Sequence, residues 1–241
     1  MRYAFIADIH GNFEALAAVM EDVRAEQPDH VFCLGDIVGY GAEPAECIRA
    51  MRENSILCIA GNHDFAVSGD LSTQYFNPIA SASVDWTRQA LSEKDLEFLS
   101  KLPLEFKNEV FVLTHGAPTI PGAFEYIITA DDVRRGFASL DRRVSFQAHS
   151  HVPVSWVLSD GYASVVLENS FAVGEGCGAM VNVGSVGQPR DGVPTACYAL
   201  FDAAEHSVEI RRIPYDIDTA ARKILDAGLP EENAYRLYLG K

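Results

Sequence analysis

The first 60 residues alternate between two hydrophobic periods. "YAFIA" (residues 3–7) is a continuous apolar run of the length expected for a strand buried on both faces. Phe13, Leu16, Ala17, Met20 and Val23 then recur at the spacing of one helical face. "HVFCLG" (30–35) repeats the strand pattern, a helix follows near Pro44–Arg52 with proline at its start, and "SILCIAG" (55–61) reads as a third buried strand. Short apolar strands alternating with helices predict a parallel sheet covered on both faces. Residues 63–101 read mostly helical, with Leu91, Leu96 and Leu99 as core. From about residue 104 strands dominate: "VFVLTHG", "VSFQAHSH", "VSWVL", "ASVVLE", "AMVNVG", "ACYALFD" and "VEIRRI". Two helical patterns close the chain, one with Ile217, Ala220, Ala221, Ile224 and Leu225 on a shared face, the other near Glu231–Leu239. No repeat, linker or low-complexity segment interrupts this order. One domain over residues 1–241, with two packed sheets and outer helices, is the simplest reading.

Composition adds constraints on partners. Hydrophobic residues make up 48% and charged residues 22% of the 241, ordinary values for a soluble globular protein able to bury a substantial core. The formal net charge of −15 repels nucleic-acid backbones, so long nucleic acid is disfavoured as a partner. A small anionic substrate is not excluded, because a local site can reverse the global sign. The five cysteines (Cys33, Cys47, Cys58, Cys177, Cys197) are odd in number and lack C-x-x-C spacing, which predicts reduced thiols and a cytoplasmic protein. Asp8 and His10 interrupt any signal-peptide core. No apolar run approaches the roughly 18 residues of a membrane span, so no membrane partner is expected. Oligomeric state is not legible.

Several of the predicted strands end alike. "FIA" leads into Asp8-Ile9-His10, "VFCLG" into Asp36, "ILCIAG" into Asn62-His63-Asp64, "FVLT" into His115, and "VSFQA" into His149-Ser150-His151. Open α/β sheets bind ligands at the carboxyl ends of their strands. Five of the seven histidines sit at these ends; only His30 and His206 do not. A capping role explains one such residue, not five. Asp8 and Asp36 brought together would repel, and no Lys or Arg lies within these strand ends to pair with them. Like charges at close range destabilise the fold unless something cationic sits between them, and a metal ion is the obvious candidate. Two Asp, one Asn and four His without Cys form a mixed nitrogen and oxygen donor set. Such a set suits Mn, Fe, Zn, Ni or Co better than Ca or an all-thiolate zinc site. Seven side chains are too many for one catalytic ion with an open position, and about right for two ions sharing a carboxylate.

In order along the chain, these residues form D-x-H (Asp8, His10), G-D (Gly35, Asp36), G-N-H-[DE] (Gly61 to Asp64), an isolated His115, and "AHSH", with Ala148 in place of the usual glycine of G-H-x-H. The set resembles the calcineurin-like metallophosphoesterase superfamily. "GDIVGYG" and "NVGSVGQPRDG" are similar to a small bacterial and archaeal phosphodiesterase-like branch, so the resemblance covers most of the chain, less tightly after residue 192. It implies an α/β fold, a four-layer αββα sandwich of two mixed β-sheets, in agreement with the strand count. It implies two divalent metal ions (Mn, Fe, Zn or Ni), with Asp8, His10 and His151 holding one, Asn62, His115 and His149 the other, and Asp36 bridging. His63 would lie beside the ions without binding either, near the leaving-group or a phosphoryl oxygen. Ions roughly 3.5–4 Å apart clamp phosphate oxygens and lower the pKa of a shared water from about 15.7 toward about 7, giving a hydroxide for in-line attack on phosphorus.

The departures from the superfamily's protein phosphatases bear on the substrate. Those carry G-D-x-V-D-R-G, in which the Arg clamps phosphate and the second Asp orients the catalytic His. Here Gly39 and Tyr40 occupy those positions. Loss of a fork-shaped cation weakens binding of a dianionic monoester, whereas Tyr40 offers a ring for a base and a hydroxyl donor. A small phosphodiester or nucleotide is therefore favoured over a phosphomonoester or phosphoprotein, with a non-catalytic scaffold on the same fold as the further alternative. With Gly39 in place, the residue orienting His63 is open, and Asp64, next in sequence, is grouped with His63 as catalytic. Arg190 is the candidate phosphate contact, and Asn12 a candidate for a substrate contact or for supporting the ligands. The arginines of "VRRGF" and "DRRV" read as solvated charge. Specificity is expected from loops around residues 117–135 and 168–180; "SFAVGEGCG" (170–178) reads as a glycine-rich connection without the G-K-[ST] of a phosphate loop.

Overall fold

The computed structural model describes all 241 residues. In chain order the strands are β1 (Arg2–Ile6), β2 (His30–Cys33), β3 (Leu57–Cys58), β4 (Glu105–Lys107), β5 (Phe111–Thr114), β6 (Val144–Gln147), β7 (Val154–Ser159), β8 (Tyr162–Val166), β9 (Ser170–Ala172), β10 (Gly178–Asn182), β11 (Ala196–Asp202) and β12 (Ser207–Ile213). The helices are α1 (Phe13–Glu26), α2 (Pro44–Glu53), α3 (Asn62–Ser68), α4 (Pro78–Ala90), α5 (Glu93–Ser100), α6 (Ala130–Ala138), α7 (Ile217–Asp226) and α8 (Glu231–Leu239). Two six-stranded sheets result, in the orders β3-β2-β1-β11-β12-β9 and β4-β5-β6-β10-β7-β8. Both are mixed: β1 to β3 run parallel and β11 joins β1 antiparallel, while β5, β6 and β10 run parallel and β7 joins β10 antiparallel.

Burial explains why β1 is apolar without a break. Tyr3 and Phe5 point between the sheets, while Ala4 and Ile6 point toward the α1 side. Between the sheets Phe5 stacks on Phe146 at 4.0 Å between ring centroids and meets Phe111 edge-on at 5.1 Å. Each fully buried aromatic of this kind contributes roughly 2–3 kcal/mol of transfer free energy. On the other face of the first sheet, Leu16, Val19, Ile48 and Met51 of α1 and α2 complete a second core. On the outer face of the second sheet lies α6, through Val133 and the close approach of Gly136 to Met180.

The expected layers are present, and so are elements that the pattern did not indicate. The helical stretch after residue 62 is three helices, α4 and α5 being capped by Asn77 and Ser92. Residues 170–172 of the glycine-rich connection form β9, which extends the first sheet at β12. The "VRRGF" segment lies in α6, whose capping box joins Thr129 and Asp132. Its Arg134 and Arg135 are exposed and pair with Asp131 and Asp132, the solvated charge expected.

Candidate metal centre

The polar segments after β1, β2, β3, β5 and β6 converge at one end of the sandwich, and their backbone is unusual. Asp8, His10, Asp36, Tyr40, His149 and His151 all have positive φ, between 49° and 70°. For residues bearing a Cβ such conformations are disfavoured by about 1–3 kcal/mol each, so the surroundings must impose them. They do so by interlocking the loops. Asp8 N donates to Gly35 O at 3.0 Å, His10 N to Asp36 O at 2.9 Å and Gly41 N to His10 O at 2.9 Å. From the far side of the chain, Val186 N and Gly187 N donate to Ala7 O and Asp8 O, and Ser185 Oγ donates to Asp8 O. Position 187 must be glycine, because any Cβ there would run into the Ile9 carbonyl.

The loops bring the acidic and imidazole groups into two clusters that share Asp36: Asp8, His10, Asp36 and His151 in one, Asp36, His115 and His149 in the other. All are buried. His115 Nε2 lies 3.4 Å from Asp36 Oδ2 and 3.8 Å from Asp8 Oδ1, and His10 Nε2 lies 3.5 Å from Asp36 Oδ2. Backbone carbonyls settle three tautomers. Nδ1 of His10 faces Val38 O at 3.0 Å, that of His115 faces Leu34 O at 2.7 Å, and that of His151 faces Gln188 O at 2.6 Å. A carbonyl only accepts, so each Nδ1 carries hydrogen and each neutral ring turns a lone pair on Nε2 inward.

The inward-facing atoms fit divalent ions. His10 Nε2 and His151 Nε2 approach to 3.1 Å, two lone pairs opposed with no proton between them in the neutral rings. Ligands about 2.0–2.1 Å from one ion and roughly a right angle apart are separated by about that distance. Asp8 Oδ1, Asn62 Oδ1 and His115 Nε2 are buried without a hydrogen-bond partner. Unpaired buried polar atoms are unfavourable in an interior, and such atoms among these acidic and imidazole groups point to a cation. Asn62, with its unpartnered oxygen, lines the same cleft as Asp36 and His149 of the second cluster.

Electrostatics sort the groups. Burial, with the neighbouring Asp36 charge, raises the Asp8 carboxyl to about 8. Burial opposes the charge on Asp36 too, but His115, His63 and His10 more than offset it and hold that carboxyl well below the usual range. Burial lowers His10 and His151 well below the usual imidazole value, and His149 to about 3, so these rings are neutral donors. In His115 burial is outweighed by Asp36 and Asp8, which raise it to about 9.

A cleft of about 430 Å³ opens onto the clusters. His63 lines it, with its backbone N–H donating to Asp36 Oδ1 at 2.8 Å and its ring among Tyr40, His10 and Phe76 at 4.6, 4.9 and 5.1 Å. Burial lowers His63 to about 4. Its Nδ1 has no partner; it faces the space left by Gly39, where a Cβ would come within 2.7 Å. Asp64 does not reach that nitrogen. Its carboxylate instead accepts from the backbone N–H groups of Asp36, Ile37, Val38 and Gly61 at 2.8–3.3 Å.

Tyr40 differs from expectation, and Asn12 takes the supporting one of the two roles expected for it. Tyr40 lines the cleft, but its ring is 5% exposed, packed among His10, His63 and Arg190, which leaves little of it open to a base. Asn12 caps α1 by accepting from Ala15 N and donates to Gly187 O at 2.9 Å. It touches no part of the cleft and supports the Asp8 loop instead, because its asparagine amide is consumed at the helix start. Arg190 does line the cleft, and it avoids Asp191, which pairs with Arg212. The aromatic walls are Tyr75, Phe76, Phe124 and Tyr126, with Tyr126 stacked on His149 at 4.2 Å. No motif marks these residues; only the position of Phe124 and Tyr126 in the 117–135 loop hinted at them.

Residues 1–206 match the calcineurin-like phosphoesterase superfamily domain. An uncharacterised protein of Methanocaldococcus jannaschii is 39% identical over 99% of this chain and 98% of its own length. The crystal structure of a metallophosphoesterase from Sphaerobacter thermophilus superposes with a TM-score of 0.87 at 36% identity, over 100% of this chain and 99% of the other. A symmetrical bis(5′-nucleosyl)-tetraphosphatase of Actinobacillus succinogenes is 27% identical over 35% of this chain and 36% of its own.

Proposed function

The chain belongs to the calcineurin-like phosphoesterase superfamily, and on that premise we propose that residues 1–241 form one catalytic domain, a two-metal phosphodiesterase acting on nucleotide-sized substrates. The observation that carries this reading is the pair of buried clusters sharing Asp36 at the floor of an aromatic-walled cleft of about 430 Å³. Asp8, His10 and His151 would hold one divalent ion, Asn62, His115 and His149 the other, and Asp36 both. The donor set suits Mn, Fe, Zn or Ni. When bound, such ions acidify water and stabilise negative charge on phosphorus. The protein's own groups do the rest. Arg190 orients a phosphate oxygen. His63, neutral because burial holds it near 4, offers one ring N–H to a phosphoryl or leaving-group oxygen. Asp64 acts as a positioning residue, fixing the loop that carries Asp36. Tyr75, 90% exposed, and Tyr126, 49% exposed, present ring faces to a base, in place of the buried Tyr40. The name of the partial relative, a dinucleoside tetraphosphatase, is consistent with a nucleotide ligand.

The test compares bis-p-nitrophenyl phosphate with p-nitrophenyl phosphate on metal-stripped protein given back Mn²⁺, beside Asp36→Asn and His63→Ala. Diester turnover that requires Mn²⁺ and disappears in Asp36→Asn is expected. Faster monoester turnover would replace the diesterase reading by a phosphatase. No turnover despite binding of two ions would assign the fold a scaffold role.

A further inference from the structure

The four histidines of the two clusters are not held alike. Backbone carbonyls set three of the rings, through Nδ1 of His10, His115 and His151. His149 is the exception. Its backbone N–H donates to Asp8 Oδ2 at 3.1 Å, which fixes where the side chain starts, but no protein group meets either ring nitrogen. Rotation of an imidazole about its last torsion is broad and roughly two-fold, so a fixed backbone does not set the ring plane. A metal-ligating histidine ordinarily gives its second nitrogen to an oxygen acceptor for that purpose.

What meets the His149 ring is the ring of Tyr126, 4.2 Å away between centroids and 18° from parallel. Its other aromatic neighbour, His115, is tilted by 58° at 5.0 Å. Tyr126 belongs to a strap between β5 and α6 that is fastened at its base. Ala117 N donates to Glu125 O at 2.8 Å, and Gly116 packs so closely that a Cβ there would come within 2.8 Å of the same oxygen. Phe124 of the strap is buried, adopts φ of 50°, and meets His115 edge-on at 5.9 Å. One strap therefore contacts both histidines of the second cluster. The rings against His10 are instead those of Tyr40, His63 and His151.

We propose that Tyr126 is a positioning residue for one of the two metal ions: its ring, stacked on His149, replaces the missing hydrogen bond and holds the imidazole in the plane that ligation beside Asp36 and His115 requires. This rests on the two-metal reading above. The two ions are then unequal. The ion at Asp8, His10 and His151 depends on rings fixed by backbone carbonyls, whereas the ion at His149 depends on a side chain of a strap that also lines the cleft. A flat ring face supplies the support, so the Tyr126 hydroxyl is dispensable for it and an aliphatic side chain is no substitute.

The experiment is a calorimetric Mn²⁺ titration of metal-stripped wild type, Tyr126→Phe and Tyr126→Leu, each also in a His149→Ala background. In Tyr126→Leu the affinity for one ion is expected to fall about tenfold, the size of effect seen when a group orienting a metal ligand is lost, with the other ion unchanged. Tyr126→Phe keeps wild-type affinity for both. In the His149→Ala background Tyr126→Leu has no further effect, because the ring it acts through is gone. The visible spectrum of the Co²⁺-loaded protein changes in Tyr126→Leu and is retained in Tyr126→Phe. Tyr126→Met, also without a flat ring, repeats the comparison should Tyr126→Leu fold poorly. Wild-type affinity in Tyr126→Leu, equal weakening of both ions, or damage by Tyr126→Phe as great as by Tyr126→Leu each overturns the proposal. Wild type that takes up fewer than two ions removes the two-metal reading and this one with it; two ions bound with Tyr126→Leu inert removes only this one.

Discussion

Four backbone N–H groups converge on the Asp64 carboxylate, from Asp36, Ile37, Val38 and Gly61. An asparagine offers one acceptor oxygen and turns an NH₂ toward the other donors, so Asp64→Asn leaves buried N–H groups facing a donor. Such a mismatch costs about 3 kcal/mol or more. Urea denaturation of the metal-free protein should show a loss of that size, and a change below about 1 kcal/mol would remove Asp64 from the role of loop holder. At this scale the sequence was legible where chemistry is scarce. Histidines and aspartates after apolar runs marked the clusters, because few structural roles need five histidines at strand ends. The burial of Tyr40 was not legible, since a ring beside a motif looks the same whether it stands open in the cleft or packed into its wall, whereas the supporting role of Asn12 was one of the two expected. Tyr75 and Tyr126 carried no spacing signal, because a loop sets their positions through contacts distant in sequence.

Among the elements, continuous apolar runs identified β1, β2 and the two-residue β3, and the 3.6-residue period identified α1, α2, α7 and α8. They did not identify α6, where arginines and aspartates outnumber the buried residues Val133 and Gly136, or β9, three residues whose strand character comes from pairing with β12. The segment 183–192 has no regular structure, yet it locks the first loop through Val186, Gly187 and Ser185. Gly187→Ala must push the Ile9 carbonyl aside and break the bond from Gly187 N to Asp8 O. The expected result is a loss of about 3 kcal/mol or more, with weaker metal binding at the Asp8, His10 and His151 cluster. Denaturation and Mn²⁺ titration of the variant check both. Wild-type metal affinity in a folded Gly187→Ala protein would show that this segment packs against the centre without holding it.

For the molecule as a whole, the candidate metal centre brings buried acidic groups together in a chain of formal net charge −15. Asp8 and Asp36 are almost completely inaccessible, and the inward lone pairs of His10 and His151 oppose one another. The folded protein without ions therefore bears a local repulsion that the unfolded chain does not. Divalent ions that bind only the folded state add about 2.7 kcal/mol per site at a hundredfold excess over Kd. Two sites then give about 5 kcal/mol, which for a chain of this length raises Tm by about 10–20 °C. Mn²⁺ should produce that rise, whereas NaCl at equal ionic strength should produce a few degrees at most, because salt screens the global charge without entering the clusters. Asp36→Asn separates the two contributions. It removes the carboxylate common to both clusters, so most of the Mn²⁺ shift disappears, and its metal-free form melts below wild type because buried His115 loses the carboxylate that pairs with it. Equal rises with Mn²⁺ and NaCl in wild type would mean that the convergence of Asp8, Asp36 and the histidines relieves no charge through bound metal.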